Sequence, residues 1–426
     1  METVFNKGQS LGYESMLKGL NVFLTGGGGV GKSFVLNKYI ETLQNMGKNL
    51  IVVAPTGIAA LNINGATIHR VFKAPLKPIV EKVDHIVTEV MHADTIIIDE
   101  ISMCRIDLFE YIAKQIIGAN KLRRKNNKSD IQIIVSGDFY QLPPVITDRD
   151  REVLEAYYGD ELGRGFAFQS KYWEIFGFKT IILNEVVRQA DAEFATQLNL
   201  ARVGDIRSLN YFTIKSTGYE IKNAITLCGT NKAAQEKSNI ELSKIKSKGH
   251  EYQSSITGDI KDSDKMTADT LLLKENARVM TLINDPNDYF NNGSFGTIKK
   301  LYDESIEIQM DNGKLVELPY NTWEVCGYKL VDKKVEKVVV GTFSQIPVKL
   351  AYAITIHKSQ GQTYDAVNLN PYCWDCGQLY VALSRVKNID MMHLTSQLNP
   401  KYLITAKEVK DFYSGLTEKK ITPKYI

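Results

Sequence analysis

The chain has 426 residues, 44% of them hydrophobic, with a formal net charge of +3 and five cysteines. At roughly 150 residues per domain that length suggests about three domains. No apolar run approaches the ~20 residues of a membrane span, and no basic segment followed by an apolar one opens the chain, so secretion is not expected. So few cysteines point to a reducing cytosol rather than a disulfide framework. The charge neither demands nor excludes nucleic acid, because any basic groove has to be local.

Near the start, "NVFLTG" is a short apolar run that reads as a buried strand. It leads into "TGGGGVGKS", residues 25–33, which has almost no side chains with which to build a core. Beyond it Val35, Leu36, Tyr39, Ile40 and Leu43 share one helical face, and Gly47 supplies a stop. Strand, glycine loop and helix form the context that G-x-x-x-x-G-K-[ST] requires. Gly26, Gly29 and Gly31 shape the loop, whose backbone amides and helix N-terminus would hold phosphate oxygens. Lys32 would reach the β and γ phosphates, and Ser33 would ligate Mg²⁺.

A second strand, "NLIVVAPTG", ends at Thr56, and a third, in "DTIIIDEISM", runs from Thr95 to Ile98 without polar alternation. Such a run suits a parallel sheet buried on both faces. It closes on Asp99, the expected Mg²⁺ partner, and Glu100, the expected general base orienting water toward the γ-phosphate. "IQIIVSGD" is a fourth strand, followed by Asp138 and Gln141. Repeated strand–helix alternation indicates a doubly wound α/β domain, with its ligands at the carboxyl ends of the strands. The anion is therefore expected to be a nucleoside triphosphate.

Further on, "NAITLCGTN" and "AVNLN" read as strands of a second α/β sheet. Between them "SIEIQMDNGKLVELPY" alternates on either side of Asn312-Gly313, a strong hairpin signal. With "GTIKKLY" and "EKVVVGTF" nearby, residues 272–345 are expected to form a small inserted β-barrel. Cys373 and Cys376 in "PYCWDCGQ" have no second Cys pair or His pair to complete a zinc site, so they are read as structural. "KLRRKNNK" is the most basic run and reads as a solvated loop.

Taken in order, "APTGIAALNINGATIHRVF", "GDFYQLPPV", "LNEVVRQADAEFATQLNLARVGD", "AYAITIHKSQGQTYD" and "GQLYVALSRVKNID" resemble the Pif-one family of superfamily-one DNA helicases, relatives of RecD. The resemblance runs from Gln9 to about Asp390; it departs at "KLRRKNNKSDIQ", where the family commonly has a "PFGG"-type turn. It implies two RecA-like domains: 1–186, with a short wedge-like insertion at about 70–92, and 187–271 joined to 346–426, with the barrel at 272–345. ATP would sit between the two domains, closing the cleft, and hydrolysis would open it.

The resemblance also implies roles for individual residues. Gln9 would read adenine, Gln141 would meet the γ-phosphate or its attacking water, and Gly361 would join the nucleotide contacts. Arg188 and Arg385 would be arginine fingers. Thr56, His69 and Phe72 on one domain, and Thr230, Asn231, His357, Lys358 and Ser359 on the other, would hold or part the DNA strand. The implied protein is a cytoplasmic monomer that uses Mg-ATP to move 5′→3′ on single-stranded, tailed or forked DNA, with G-quadruplex DNA among the family's substrates. Repair, recombination, replication and telomere maintenance are the implied settings. Two other readings share parts of this pattern: a translocase that clears proteins from single strands without unwinding, and a nucleotide-switched binding protein. Glu100 and the two arginines argue against the second, and nothing resembles the substrate lid of a small-molecule kinase.

Overall fold

The computed structural model describes residues 5–80, 85–185, 191–287, 289–331 and 334–418. It divides into two units: Met1–Arg188 with Cys326–Val338 and Thr405–Ile426, and Gln189–Val325 with Val339–Ile404.

The first unit contains α1 (Lys7–Leu17), β1 (Val22–Gly26), α2 (Lys32–Asn45), β2 (Leu50–Ala54), α3 (Gly57–Asn62), β3 (Ala66–Thr67), α4 (Ile68–Val71), α5 (Thr88–His92), β4 (Thr95–Ile98), α6 (Ile106–Lys125), β5 (Gln132–Gly137), α7 (Asp148–Tyr158), α8 (Lys171–Phe176) and β6 (Lys179–Leu183). Its six strands lie in the order β3-β2-β4-β5-β1-β6, and every pairing is parallel. All residues of β1, β2 and β4 are buried, which is why they read as unbroken apolar runs. On one face Val22, Leu24, Ile97 and Ile134 pack with Val35, Leu36, Tyr39 and Leu43 of α2.

The described part of the stretch at 70–92 is tied to α6 at Phe72, Ile79 and Val87. Two polar side chains of α6 hold it. Asp107 Oδ2 accepts from Ile79 N at 2.8 Å, and Gln115 Oε1 accepts from Val87 N at 3.0 Å while its Nε2 donates to Phe72 O at 3.0 Å. The basic run is not simply a solvated loop. It ends α6, where Arg123 is buried and donates to Ser129 O, Met91 O and Ala93 O, and Arg124 pairs with Asp130.

The second unit has α9 (Ala192–Arg202), α10 (Ser208–Lys215), β7 (Ile225–Cys228) and α11 (Asn231–Ser243) before a region of antiparallel strands. These are β8 (Gly249–Gln253), β9 (Ser255–Gly258), β10 (Thr270–Lys274), β11 (Arg278–Thr281), β12 (Phe295–Leu301), β13 (Ser305–Met310), β14 (Leu315–Pro319), β15 (Asn321–Val331), β16 (Lys334–Gln345) and β17 (Val348–Leu350), the stretch Cys326–Val338 of β15 and β16 being counted with the first unit. They pair as three ladders, β10-β8, β14-β13-β12-β11-β17 and β15-β16-β9. The expected barrel is therefore corrected in two respects. The antiparallel region begins earlier, at Gly249, and among the described residues β14 and β17 remain edges instead of closing a ring. The β13–β14 hairpin stands where Asn312-Gly313 placed it. Its loop holds three residues, since Met310 N bonds Lys314 O at 2.8 Å and Gly313 carries the positive φ of 85°.

The chain then adds β18 (Ala353–Thr355), β19 (Val367–Leu369), α12 (Gln378–Leu383) and β20 (Met392–Leu394), giving a second parallel sheet in the order β18-β7-β19-β20. Its last helix, α13 (Lys407–Glu418), belongs to the first unit and not, as the sequence reading had it, to the second. The reason is aromatic packing. Phe412 stacks on Phe168 with ring centroids 4.3 Å apart and meets Phe23, Phe139 and Trp173, while Tyr413 stacks on Tyr140 at 4.8 Å.

Candidate functional site

The glycine loop joins β1 to α2, with β5 and β6 on either side of β1. Gly31, the residue before α2, has φ 84°, and no side chain caps the helix. The first amides of α2 therefore face the loop, as an anion site requires. A Cβ at Gly31 would lie 2.5 Å from Gln9 Nε2, so any other residue there would strain the backbone and push Gln9 from its place. Lys32 Nζ donates to Gly26 O at 2.8 Å and Gly27 O at 3.0 Å, curling its ammonium over the loop. Gln9 is buried; its Nε2 donates to Val30 O at 3.2 Å, and its Oε1 accepts from Asn6 N at 3.1 Å within the cap of α1.

The acid pair follows β4. Asp99 is buried, and burial raises its carboxyl above the usual range; the Glu100 backbone N–H, the Ser136 hydroxyl and Lys32 pull the other way. A carboxylate in that position favours a bound cation. Glu100 occupies the left-handed region at φ 50°, ψ 46°, a strained conformation for a residue with a Cβ and one that clusters at active sites. The turn after β5 brings buried Asp138 and Gln141 to the same edge of the sheet, Gln141 N donating to Asp138 O at 2.9 Å. No group of three or more His, Cys, Asp or Glu side chains poised for a metal occurs among the described residues. A divalent ion would thus rely on Ser33, Asp99 and oxygens of the nucleotide, the pattern suited to Mg²⁺.

Thr56 and Thr230 occupy equivalent places in the two sheets. Each follows a strand and caps the next helix, Thr56 Oγ1 accepting from Ala59 N at 3.3 Å and Thr230 Oγ1 from Ala233 N at 3.2 Å. A hydroxyl used as an acceptor in this way still has its O–H to donate to a phosphate. His69 lies half-buried in α4, and Asn231 and Lys358 are exposed. His357 is half-buried beyond β18; burial lowers its pKa and Asp375 opposes the shift, so its imidazole stays neutral at pH 7.

Two expected DNA contacts are corrected. Phe72 is completely buried, its backbone tied to α6, and offers no face to a base. Ser359 is also completely buried, with its hydroxyl donating to Ile356 O at 2.7 Å. Its carbonyl instead accepts from Arg385 Nη1 at 3.0 Å. The expected finger Arg385 engages its guanidinium within its own unit. It is 2% exposed and donates to Val381 O, Gln362 O and Ser384 Oγ, binding the last two motifs together. Arg188 lies outside the described residues. Gly361 is exposed, with φ 76°. Cys373 and Cys376 are buried free thiols, as a structural reading requires.

Two features near these sites escaped sequence reasoning. Tyr413 of α13 shares a 2.6 Å hydrogen bond with Thr25 Oγ1, directly before the glycine loop, and its OH accepts from Phe139 N at 3.3 Å, two residues from Gln141. Trp374, between the two cysteines, is the other. Its signal was a large aromatic in a polar turn beyond a strand.

A glycine loop after β1, an acid pair after β4 and a second parallel sheet define a phosphate-loop nucleoside triphosphatase with a RecA-like helicase core. Sequence and structure comparisons narrow that class. The PIF1-like helicase family matches residues 4–207. The ATP-dependent DNA helicase Pif1 of Campylobacter jejuni is 32% identical over 418 residues, spanning 90% of this chain and 90% of its own length. The crystal structure of Bacteroides sp Pif1 in complex with ADP-AlF4 superposes with a TM-score of 0.83 at 29% identity, covering 98% of both chains. Bacteroides Pif1 bound to ssDNA, at the same 29% identity and 98% coverage of both chains, gives 0.70. The chain belongs to the PIF1-like helicase family.

Proposed function

We propose that this chain is an ATP-dependent DNA helicase that travels 5′→3′ along one strand and parts the duplex ahead of it. DNA helicase activity follows from membership of the family, whose relatives carry that name along nearly their whole length. The observation that supports the chemistry is the convergence of Lys32, Asp99, Glu100 and Gln141 at the carboxyl edge of one parallel sheet. In this reading the loop amides and Lys32 bind the phosphates, Ser33 and Asp99 hold Mg²⁺, Glu100 takes the proton of the attacking water, and Gln141 orients that water. A Mg²⁺ held there would neutralise charge on the phosphate oxygens. Gln9 reads the adenine from its place against the loop.

Thr56, His69, Thr230, Asn231, His357 and Lys358 are proposed to hold the strand, chiefly through its phosphates. That mode of binding tolerates any sequence. We extend the reading to forked duplexes and G-quadruplex DNA as substrates, to a monomer as the acting unit and to the cytoplasm as its setting. Bacteroides Pif1 has been solved bound to single-stranded DNA, and a further similar structure concerns DNA unwinding at forked double-stranded DNA by two coordinating Pif1 helicases.

The test uses three duplexes with ATP and Mg²⁺: 5′-tailed, 3′-tailed and blunt, with Lys32→Ala as the control. Unwinding of the 5′-tailed duplex alone is expected. Unwinding of only the 3′-tailed duplex would overturn the polarity. DNA-stimulated ATP hydrolysis with no unwinding would replace the helicase by a translocase.

A further inference from the structure

We propose that Trp374 is a stacking platform for a base of the bound single strand, a role that rests on the DNA reading of the second unit. Three strands place it. His357 follows β18, Thr230 follows β7 and Trp374 follows β19, and these strands are neighbours in the order β18-β7-β19. The loop after β19 passes so close to β7 that a Cβ on Gly229 would collide with Tyr372 O. Trp374 is thereby brought over β7 toward His357, and the two rings lie nearly parallel, 28° apart in plane, with centroids separated by 6.3 Å.

The indole is fixed in that position. Its Nε1 donates to Gly229 O at 3.0 Å. Gln378, fully buried, accepts from Trp374 N at 3.0 Å and donates to the same Gly229 carbonyl at 2.9 Å. A tryptophan with its only polar atom engaged can recognise a partner through its ring surface alone, and that surface is open, for the residue is 55% exposed. The groups beside the indole are a helix-capping threonine and a neutral histidine, donors suited to phosphates. Ring stacking next to phosphate contacts is the combination that binds single strands without reading sequence.

The experiment exploits the other two tryptophans, Trp173 and Trp323, which are 7% and 9% exposed, so a strand can reach Trp374 far more readily than either. Full-length protein is titrated with labelled oligothymidylate and with an abasic strand of equal length. Anisotropy reports binding and tryptophan emission reports stacking. The expected result is quenching by oligothymidylate with the same midpoint as the anisotropy, and little quenching by the abasic strand. Trp374→Phe keeps most of the affinity and abolishes the quench. Trp374→Ala weakens oligothymidylate roughly tenfold, within the range for loss of one stacked base, and leaves abasic binding unchanged. Binding without quenching overturns the platform, and so does an equal loss for Trp374→Ala on both strands, which would mark a purely structural side chain. No anisotropy change in the parent protein would overturn the DNA reading itself, and the platform with it.

Discussion

Glu100 combines a strained backbone, at φ 50°, with a place two residues beyond a buried strand. A carboxylate held there serves as a base only while it can accept a proton. Glu100→Gln should keep nucleotide affinity and lose roughly 10²–10⁴ in turnover, the usual worth of a general base. Lys32→Ala should lose binding and turnover together, as measured by nucleotide titration and phosphate release. Near-parental hydrolysis by Glu100→Gln would remove it from the role. His357 gives a pH dependence. Burial keeps its folded pKa below the ordinary 6.5, so just under that pH the unfolded chain binds a proton that the folded chain refuses. Stability therefore rises with pH through this window and falls on acidification. Thermal melts from about pH 5 to 7.5 should show the parent losing more than His357→Gln; equal losses would refute the assignment. Lys32, Asp99, Glu100 and Gln141 were legible because each follows an apolar strand that fixes its position. Phe72 and Ser359 were not, because membership of a motif does not say which way a side chain points. Neighbouring elements decided that, through α6 for Phe72 and through Arg385 for Ser359.

At the scale of elements, strand identities and the α/β class could be read from unbroken apolar runs and their polar ends. The partners of α13 could not, since the contact from Thr25 to Tyr413 spans 388 positions and no local pattern encodes it. The antiparallel region shows the same limit. Its alternation marked the hairpin, but ladder order depends on pairings between β9 and β16 or between β11 and β17 that lie far apart in the chain. The packing of α13 is testable. Tyr413→Phe keeps the ring stacked on Tyr140 but removes the hydroxyl that Thr25 and Phe139 N share, leaving buried polar groups unpaired. A loss of about 1–3 kcal/mol is expected by denaturant unfolding, together with a weaker apparent affinity for ATP. Unchanged stability would mean that the hydroxyl is dispensable.

For the whole molecule, the small net charge of +3 means that strand binding must come from locally placed donors instead of a general basic field. Affinity for single-stranded DNA should still fall as salt rises, with a log–log slope of roughly −0.7 for each phosphate neutralised. A flat response would exclude phosphate tracking. The two parallel sheets were foreseeable; the route of the chain through the units was not. Because β6 ends at Leu183 and α13 begins at Lys407, the ribosome must make the entire second unit before it makes the helix that covers Phe23, Phe139 and Trp173. At about 5–20 residues per second, that interval is on the order of 10–45 s. Throughout it the nascent first unit carries an uncovered aromatic face, open to chaperones and to other chains, and a product broken off before Lys407 would keep its phosphate loop without ever receiving Tyr413.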